Sequence, residues 1–592
     1  MAASARPRPR PYGLRLVRTA ANCLYKPNAV RRGVRPKQTP RPLDRARGLT
    51  AFGLYGRGSW GRCAGGRGIA YTFGMTASGY VTDVAYVPGF YPQMAPVTLR
   101  HVAALNGVCP PATGTAFRYL ELGCGLGRSF TTLAAANPQG EFIGVDINPD
   151  HTAAAARDIS AGGLANARVI TGDFASLPAD LGEFDFIALH GVFSWVGPEV
   201  REQILEVARR HLAAGGLLLV SYNAMPGWAH LQPIRGILRQ YAALRQGDST
   251  QRVRDALAYL VFLRDRQAKY FLDNPRASAY LDALVTQDLR YLVHEYLNEH
   301  WTSFYFAEVA EMFGSAGLTF VGSQPVHTNF WDLCVRPEFQ ELFRTTRDRL
   351  VTEAHKDFCA NTAFRWDIYA KSPRPLGGLE GRLAAIDDLE FRVARPGTVL
   401  PFQSNLGVVT STVDGPLYQG LLDALAAGSL PLSKIVADPR FAATPPADLA
   451  RAVDAGVALG LLDVSAGHVP APSEADDGAV TIPSSFNRTV VEADALGGRA
   501  VALACERTGT GHVIGDLDAA LLHETVAGGR SGLADRLAAR LAASGRALQR
   551  DGKRVDDPVE QRTLVDTACE AFLKTTLPRL ADLGAIAGSG PA

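Results

Sequence analysis

At 592 residues the chain is too long for one hydrophobic core and implies three or four domains. With 47% hydrophobic and 20% charged residues it reads as globular, no apolar run reaches the ~18 residues of a membrane span, and the eight scattered cysteines show no metal-ligand spacing, which favours reduced thiols, a cytoplasmic setting and no metal. Residues 1–74 hold 16 Lys and Arg against one acid, Asp44, leaving 45 basic and 57 acidic residues elsewhere, so the folded part is mildly acidic and nucleic acid is not an expected partner.

The leader 1–74 ("RPRPRPYGLR") has no hydrophobic period and reads as a disordered basic extension. It is read first as a start placed too far upstream, with Met75 the true start. A polyanion-binding arm or a targeting signal are the alternatives. From there strands and helices alternate. "FRYLEL" (117–122) is a strand, "GRSFTTLAAANP" a helix stopped by Pro138, and "EFIGVDIN" a strand ending on Asp146. "HTAAAARDISAGG" is a helix closed by Gly162 and Gly163. "ARVITGDF" and "FDFIALHGVF" are strands, "VREQILEVARRHLAAGG" is a helix closed by its glycine pair, and "GLLLVSYN" is a fifth strand. Continuous apolar strands between helices predict a parallel sheet covered on both faces. Residues 235–305 are helical, and "GLTFVGSQ" (317–324) and "FRWDIYAK" (364–371) supply two last strands of the same sheet.

Four regions follow: the extension 1–74; an α/β core 75–375 with a seven-stranded sheet and a helical insertion at about 235–310; a winged-helix-like α+β segment 376–480; and a mostly helical segment 481–592. "PAPSEADDGAVTIPSS" reads as a linker between the last two.

The chemistry concentrates in "YLELGCGLGRSF" (119–130). A strand–GxGxG–helix unit puts backbone N–H groups and a helix N-terminus beside a ligand with no Cβ in the way. Gly123, Gly125 and Gly127 lie two apart and Arg128 stands where a dinucleotide fingerprint has its third glycine, so a dinucleotide is disfavoured. Asp146 ends the second strand, where a carboxylate can accept both hydroxyls of a ribose. Asp173 in "TGDF" can reach an adenine amino group while Phe174 covers the ring. The bland alternatives are a tight turn for the glycines, a helix N-cap for Asp146, a surface turn for Asp173 and a satisfied buried histidine for His190.

This run resembles the class I S-adenosylmethionine-dependent methyltransferases. "ELGCGLG" matches their glycine loop, "VDIN" their ribose-binding acid and "GDF" their adenine turn. The resemblance implies S-adenosylmethionine as cofactor. It places Glu121 and the loop, including the Cys124 backbone, along the methionine part, Asp146 and Ile147 at the ribose, Asp173 and Phe174 at adenine, and His190 and Gly191 beside the sulfonium. "SYNAMPGW" follows the fifth strand where such proteins place the acceptor, so Tyr222, Asn223 and Trp228 are candidates to orient it, with no base named. Tyr86 and Tyr91, in "YVTDVAYVPGFYPQMAP" (80–96), would belong to a lid, and Phe193 and Trp195 would flank the substrate. "HEYLNEHWTSFYFAEV" (294–309) is similar to the methyltransferase regulatory domain of a bacterial family, whose architecture is similar to that of rickettsial protein-lysine methyltransferases acting on outer-membrane protein. His294 and Glu295 there are read as a solvated helix face, since Asn298 stands where HExxH would need histidine. The first expectation is methylation of protein lysine, with the C-terminal segments presenting the substrate. A small-molecule methyltransferase and a non-catalytic cofactor-binding adaptor are the alternatives.

Overall fold

The computed structural model describes residues 83–84, 89–467, 479–495, 497, 499–550 and 553–588, with the dipeptide Arg15–Leu16, which pairs with Ser411–Thr412. The rest of the leader, Met75, Tyr80, Tyr86 and most of the expected linker lie outside the described residues.

The sheet is built from β1 (Phe117–Leu122), β2 (Gly140–Asp146), β3 (Ala167–Thr171), β4 (Phe184–Leu189), β5 (Leu212–Asn223), β6 (Leu318–Gln324) and β7 (Phe364–Lys371). Their order is 3-2-1-4-5-7-6, and only β7 runs against the others. The expected parallel sheet is therefore mixed. Residues 325–363 join β6 to β7 at the same end of the sheet, and a connection that does not cross the sheet leaves the two strands antiparallel.

Helices α1 (Pro96–Leu105), α2 (Arg128–Ala136) and α3 (Pro149–Gly162) cover one face, which Tyr119, Phe142, Phe186 and Leu219 present to them. Helices α4 (Pro198–His211) and α10 (Phe306–Ser315) cover the other, against Leu120, Ile143, Ile187 and Val220. Each strand thus buries both sides, the reason for the unbroken apolar runs. The helix signals work locally: Asn148 Oδ1 accepts the Asp150 N–H at 2.9 Å ahead of Pro149, and Gly163 ends α3 in a left-handed conformation. One boundary moves. α4 ends at His211, and Gly215 and Gly216 lie inside the irregular start of β5, with Gly215 at φ +83°.

Between β5 and β6, α5 (Gln232–Ala243), α6 (Ser249–Asp265), α7 (Lys269–Asp273), α8 (Pro275–Leu284) and α9 (Leu289–Tyr296) form a helical body with its own core of Ile234, Leu238, Leu257, Leu281 and Leu292. His294 and Glu295 are buried in it, contrary to the solvated face expected of them: His294 Nε2 lies 2.8 Å from the Val84 carbonyl, and Glu295 meets Asn223 and Trp301. Between β6 and β7 come α11 (Trp331–Cys334), α12 (Gln340–Thr345) and α13 (Arg349–Ala360).

After β7 the first apolar core continues without a break. β8 (Leu389–Val393) is the centre of a three-stranded antiparallel sheet, between Leu430–Pro431 and Leu462–Ala466, and Phe391, Leu421, Ile435 and Val453 join the α1 layer. Arg100, paired with Asp388 at 2.6 Å, and His101, whose Nε2 lies 3.1 Å from buried Asp454, tie this segment to α1. The C-terminal part is mostly helical but carries a hairpin, Val501–Cys505 with Thr510–Ile514, that sits on α2: the Asn137 amide donates to the Gly509 carbonyl at 3.1 Å. "VALAC" and "GHVI" were too short and alanine- or glycine-rich to stand out from helix.

Candidate active site

The C-terminal ends of β1 to β4 converge on a cavity of about 430 Å³. Glu121, Gly123, Cys124, Gly125, Gly127, Asp146, Ile147, Asp173, Phe174, His190 and Gly191 all line it, with Tyr91 and Trp195. Strand ends and the following turns bring residues from five elements to one crevice, as open α/β sheets do where the strand order reverses.

The three glycines have separate reasons. A Cβ on Gly123 would stand 2.5 Å from Val192 Cγ2, and one on Gly127 2.6 Å from the Ala155 Cβ of α3. Gly125, at φ +55°, would meet nothing within 4 Å: its open side is the cavity. Its N–H donates to Asp146 Oδ2 at 2.8 Å, while Asp146 Oδ1 accepts the Asn148 N–H at 2.9 Å and lies 3.2 Å from His151 Nδ1. The helix cap is therefore Asn148, and Asp146 is the hinge between loop and α3. Asp173 caps a short 3-10 turn, its Oδ1 accepting the Ser176 N–H at 2.7 Å, so its turn role and its place in the cavity wall coexist.

Burial pushes the Glu121 carboxyl up to about 8, against the lowering effect of the Tyr119 hydroxyl and with Asp146 nearby raising it. Glu121 Oε2 has no protein partner although it is buried on the cavity wall. An orphaned carboxylate oxygen there suits a cationic ligand group. On the opposite side Ser221 Oγ accepts the Gly191 N–H at 3.2 Å and lies 2.7 Å from His190 Nδ1. Ser221 is fully buried, so this contact holds the His190 ring in place. Burial drops the imidazole to about 3, keeping it neutral. His190 stacks on Trp366 at 4.1 Å and meets Tyr91 at 3.9 Å between ring centres. Trp195 Nε1, without a protein partner, completes the aromatic side.

Four expected residues lie elsewhere. Tyr222 is fully buried on the other face of the sheet and donates to Asp367 Oδ2 at 2.5 Å, within a network that also holds Arg365, Asp357 and Glu353. Asn223 is buried beside Glu295, and Trp228 packs edge-on to Trp301 at 4.8 Å in the helical body's core. Phe193 fills the core against Phe304 and Phe313, both at 5.5 Å. On β5 the side chains alternate, so Ser221 reaches His190 while Tyr222 points to the other face. Sequence reading also missed His151, Ser129 and Trp366. Ser129 Oγ accepts the Tyr91 N–H at 3.1 Å and donates to the Gly89 carbonyl at 3.3 Å, pinning the segment before α1 to the cavity. The i+5 spacing of His151 from Asp146 across an N-cap was a usable signal; Trp366, 176 positions from His190, offered none.

Comparison with known proteins agrees with this geometry. Residues 120–216 match the "Methyltransferase domain" model and residues 273–371 the "Predicted methyltransferase regulatory domain" model. The second match takes in β6 and β7, so it is not confined to the helical body. An uncharacterized protein of Synechocystis sp. is 32% identical over 361 residues, 61% of this chain and 71% of the relative. An uncharacterized protein of Rickettsia prowazekii is 30% identical over 237 residues, 39% of this chain and 91% of the relative. A tRNA (guanine-N(7)-)-methyltransferase of Serratia proteamaculans is 26% identical over 134 residues, 21% of this chain and 56% of the relative. The structure of PKMT2 from Rickettsia typhi, in complex with AdoHcy, superposes with a TM-score of 0.65 at 21% identity, over 85% of this chain and 99% of that one, a likeness of fold. The chain belongs to the family that joins a methyltransferase domain to a predicted methyltransferase regulatory domain, and it is a class I S-adenosylmethionine-dependent methyltransferase.

Proposed function

We propose that the protein methylates lysine side chains of a protein substrate. The observation that carries this reading is the acceptor side of the cavity, made of Tyr91, Trp195 and a neutral His190 backed by Trp366, with no carboxylate among them. The fold likeness to PKMT2 of Rickettsia typhi over nearly its whole length supports it.

The fit to the cofactor rests on Glu121 Oε2 and on the open side of Gly125. Glu121 and the Gly123–Gly127 loop would hold the methionine part, Asp146 with Ile147 the ribose, Asp173 and Phe174 the adenine, and His190 and Gly191 the region of the sulfonium. The bound cofactor supplies an electrophilic methyl group. The chain's own contribution is alignment and exclusion of water, which can lower a barrier by ~7–11 kcal/mol. A lysine ammonium has no lone pair; entering an aromatic, desolvated pocket lowers its pKa and favours loss of its proton to solvent. Burial keeps His190 neutral and Trp195 Nε1–H is a donor, so neither takes that proton at neutral pH, and Trp195 can orient an acceptor oxygen nearby. Free thiols at Cys109, Cys124, Cys334, Cys359, Cys505 and Cys569 fit a cytoplasmic site of action, before any export of the substrate.

The test is incubation of the full chain with methyl-tritiated S-adenosylmethionine and a bacterial lysate, with Asp146→Ala as control. Label in acid-precipitable protein, located on lysine by mass spectrometry and absent with the variant, is expected. Label confined to small molecules would sink the reading.

A further inference from the structure

A second cavity, of about 180 Å³, opens at the same end of the sheet on the far side of the His190–Trp366 stack. The ends of β6 and β7, α13 and the turn before Thr410 enclose it. Phe364, Trp366, Leu406, Val408 and Ala360 form its apolar side, polar residues including Gln324, His327, Lys356 and Arg365 form the rest, and Asp357 belongs to the lining. Asp357 is 2% exposed; its Oδ1 accepts from Arg365 Nη1 at 2.8 Å, and its Oδ2 has no partner. The cations nearby are already engaged. Arg365 turns Nε to Asp367 and Nη2 to Glu353 and Ser323, and Lys356 Nζ bonds Glu353 and the Thr328 carbonyl.

We infer that this cavity anchors an alkylammonium side chain, a second lysine of the polypeptide substrate, with its methylenes along the apolar walls and its head on Asp357 Oδ2. An amphipathic chain with a compact cationic head matches a slot that is apolar on one side and borders a carboxylate with one oxygen lacking a protein partner, and the Trp366 and Phe364 rings add cation–π attraction. An anion is disfavoured because every nitrogen of Arg365, and Nζ of Lys356 in the same lining, already has an oxygen partner. Trp366 stacks on His190 at an interplanar angle of 10°, and that ring pair divides the two cavities. The anchored residue therefore stays out of the transfer site and sets which neighbouring residue enters it. The source of the amine rests on the protein-lysine reading; the site itself does not.

The experiment is calorimetric titration of the full chain, saturated with AdoHcy to occupy the cofactor part of the first cavity, with n-butylammonium, with n-butanol, and with the blocked tripeptide acetyl-Gly-Lys-Gly-amide. Saturable butylammonium binding that depends on Asp357 and Val408, neither of which lines the first cavity, is expected. It should weaken at least tenfold in Asp357→Asn and in Val408→Trp, which fills the slot without touching the ion pairs. Butanol should not compete, and the tripeptide should bind at least as tightly as butylammonium. No saturable amine binding, or equal binding by Asp357→Asn and Val408→Trp, overturns the site. Amine binding with exclusion of the tripeptide overturns the polypeptide source. AdoHcy affinity and lysate labelling are read separately, so failure of the protein-lysine reading is distinguishable.

Discussion

Gly125 and Gly127 are two residues apart, yet substituting each should break the protein differently. Both have positive φ, +55° and +80°, which costs an alanine ~1–2 kcal/mol in either place. At Gly127 the added methyl would also lie 2.6 Å from Ala155 Cβ and 3.3 Å from Ala155 Cα. No flexible side chain is there to yield, so α2 and α3 must separate, adding ~1–3 kcal/mol of overpacking. Gly127→Ala should therefore lose about 2–5 kcal/mol, much of an ordinary folding free energy. At Gly125 nothing lies within 4 Å, so the protein should keep most of its stability. The new methyl stands in the cavity instead, and AdoHcy binding should weaken at least tenfold, ~1.4 kcal/mol. Urea unfolding followed by tryptophan fluorescence and calorimetric titration of AdoHcy separate the two effects. Wild-type urea resistance in Gly127→Ala, or wild-type AdoHcy affinity in Gly125→Ala, would refute the assignment of helix packing to one glycine and ligand approach to the other.

Glu121, raised to about 8, is proton-bound in the folded protein at pH values where an unfolded carboxyl, near 4.5, is ionised. The fold therefore loses stability as pH climbs from 4.5 towards 8. A cationic ligand group favours the ionised form, so AdoHcy should bind more tightly towards pH 8 and release protons at pH 7. Titration in buffers of different ionisation enthalpy should detect that release, and Glu121→Gln should abolish it. Tyr222→Phe removes the donor to buried Asp367 and should cost about 1–3 kcal/mol in urea unfolding. A raised KM for the methyl acceptor with unchanged stability would restore Tyr222 to the site. Arg365→Met leaves Asp357 and Asp367 without their guanidinium and should cost ~3–5 kcal/mol, read by thermal melting. Against burial, which pushes it up, Lys356 and Arg365 hold Glu353 down at about 2. The folded carboxyl thus binds protons less readily than the unfolded one, so wild-type stability should fall as pH drops from 4.5 to 2, and Arg365→Met should flatten that slope.

The crevice was legible because its parts are local: GxGxG between β1 and α2, an acid at the end of β2 and another after β3 all lie within 51 residues, Gly123 to Asp173. Backbone geometry and strand ends dictate where such residues go, whatever the rest of the fold does. The strands of the sheet were legible for a related reason, since burial on both faces leaves continuous apolar runs. Tertiary structure alone decided which aromatics line or back the cavity. Tyr222, Trp228 and Phe193 have the right chemistry, but strand alternation and the core of the helical body turn them inwards, while Trp366 arrives from a strand inserted antiparallel between β5 and β6. Long-range packing likewise buries His294 and Glu295, assembles Arg365 with three carboxylates and leaves one oxygen of Asp357 without a partner. Side-chain direction and long-range partners depend on strand order, and strand order is set by how the whole apolar surface packs rather than by any one segment's pattern.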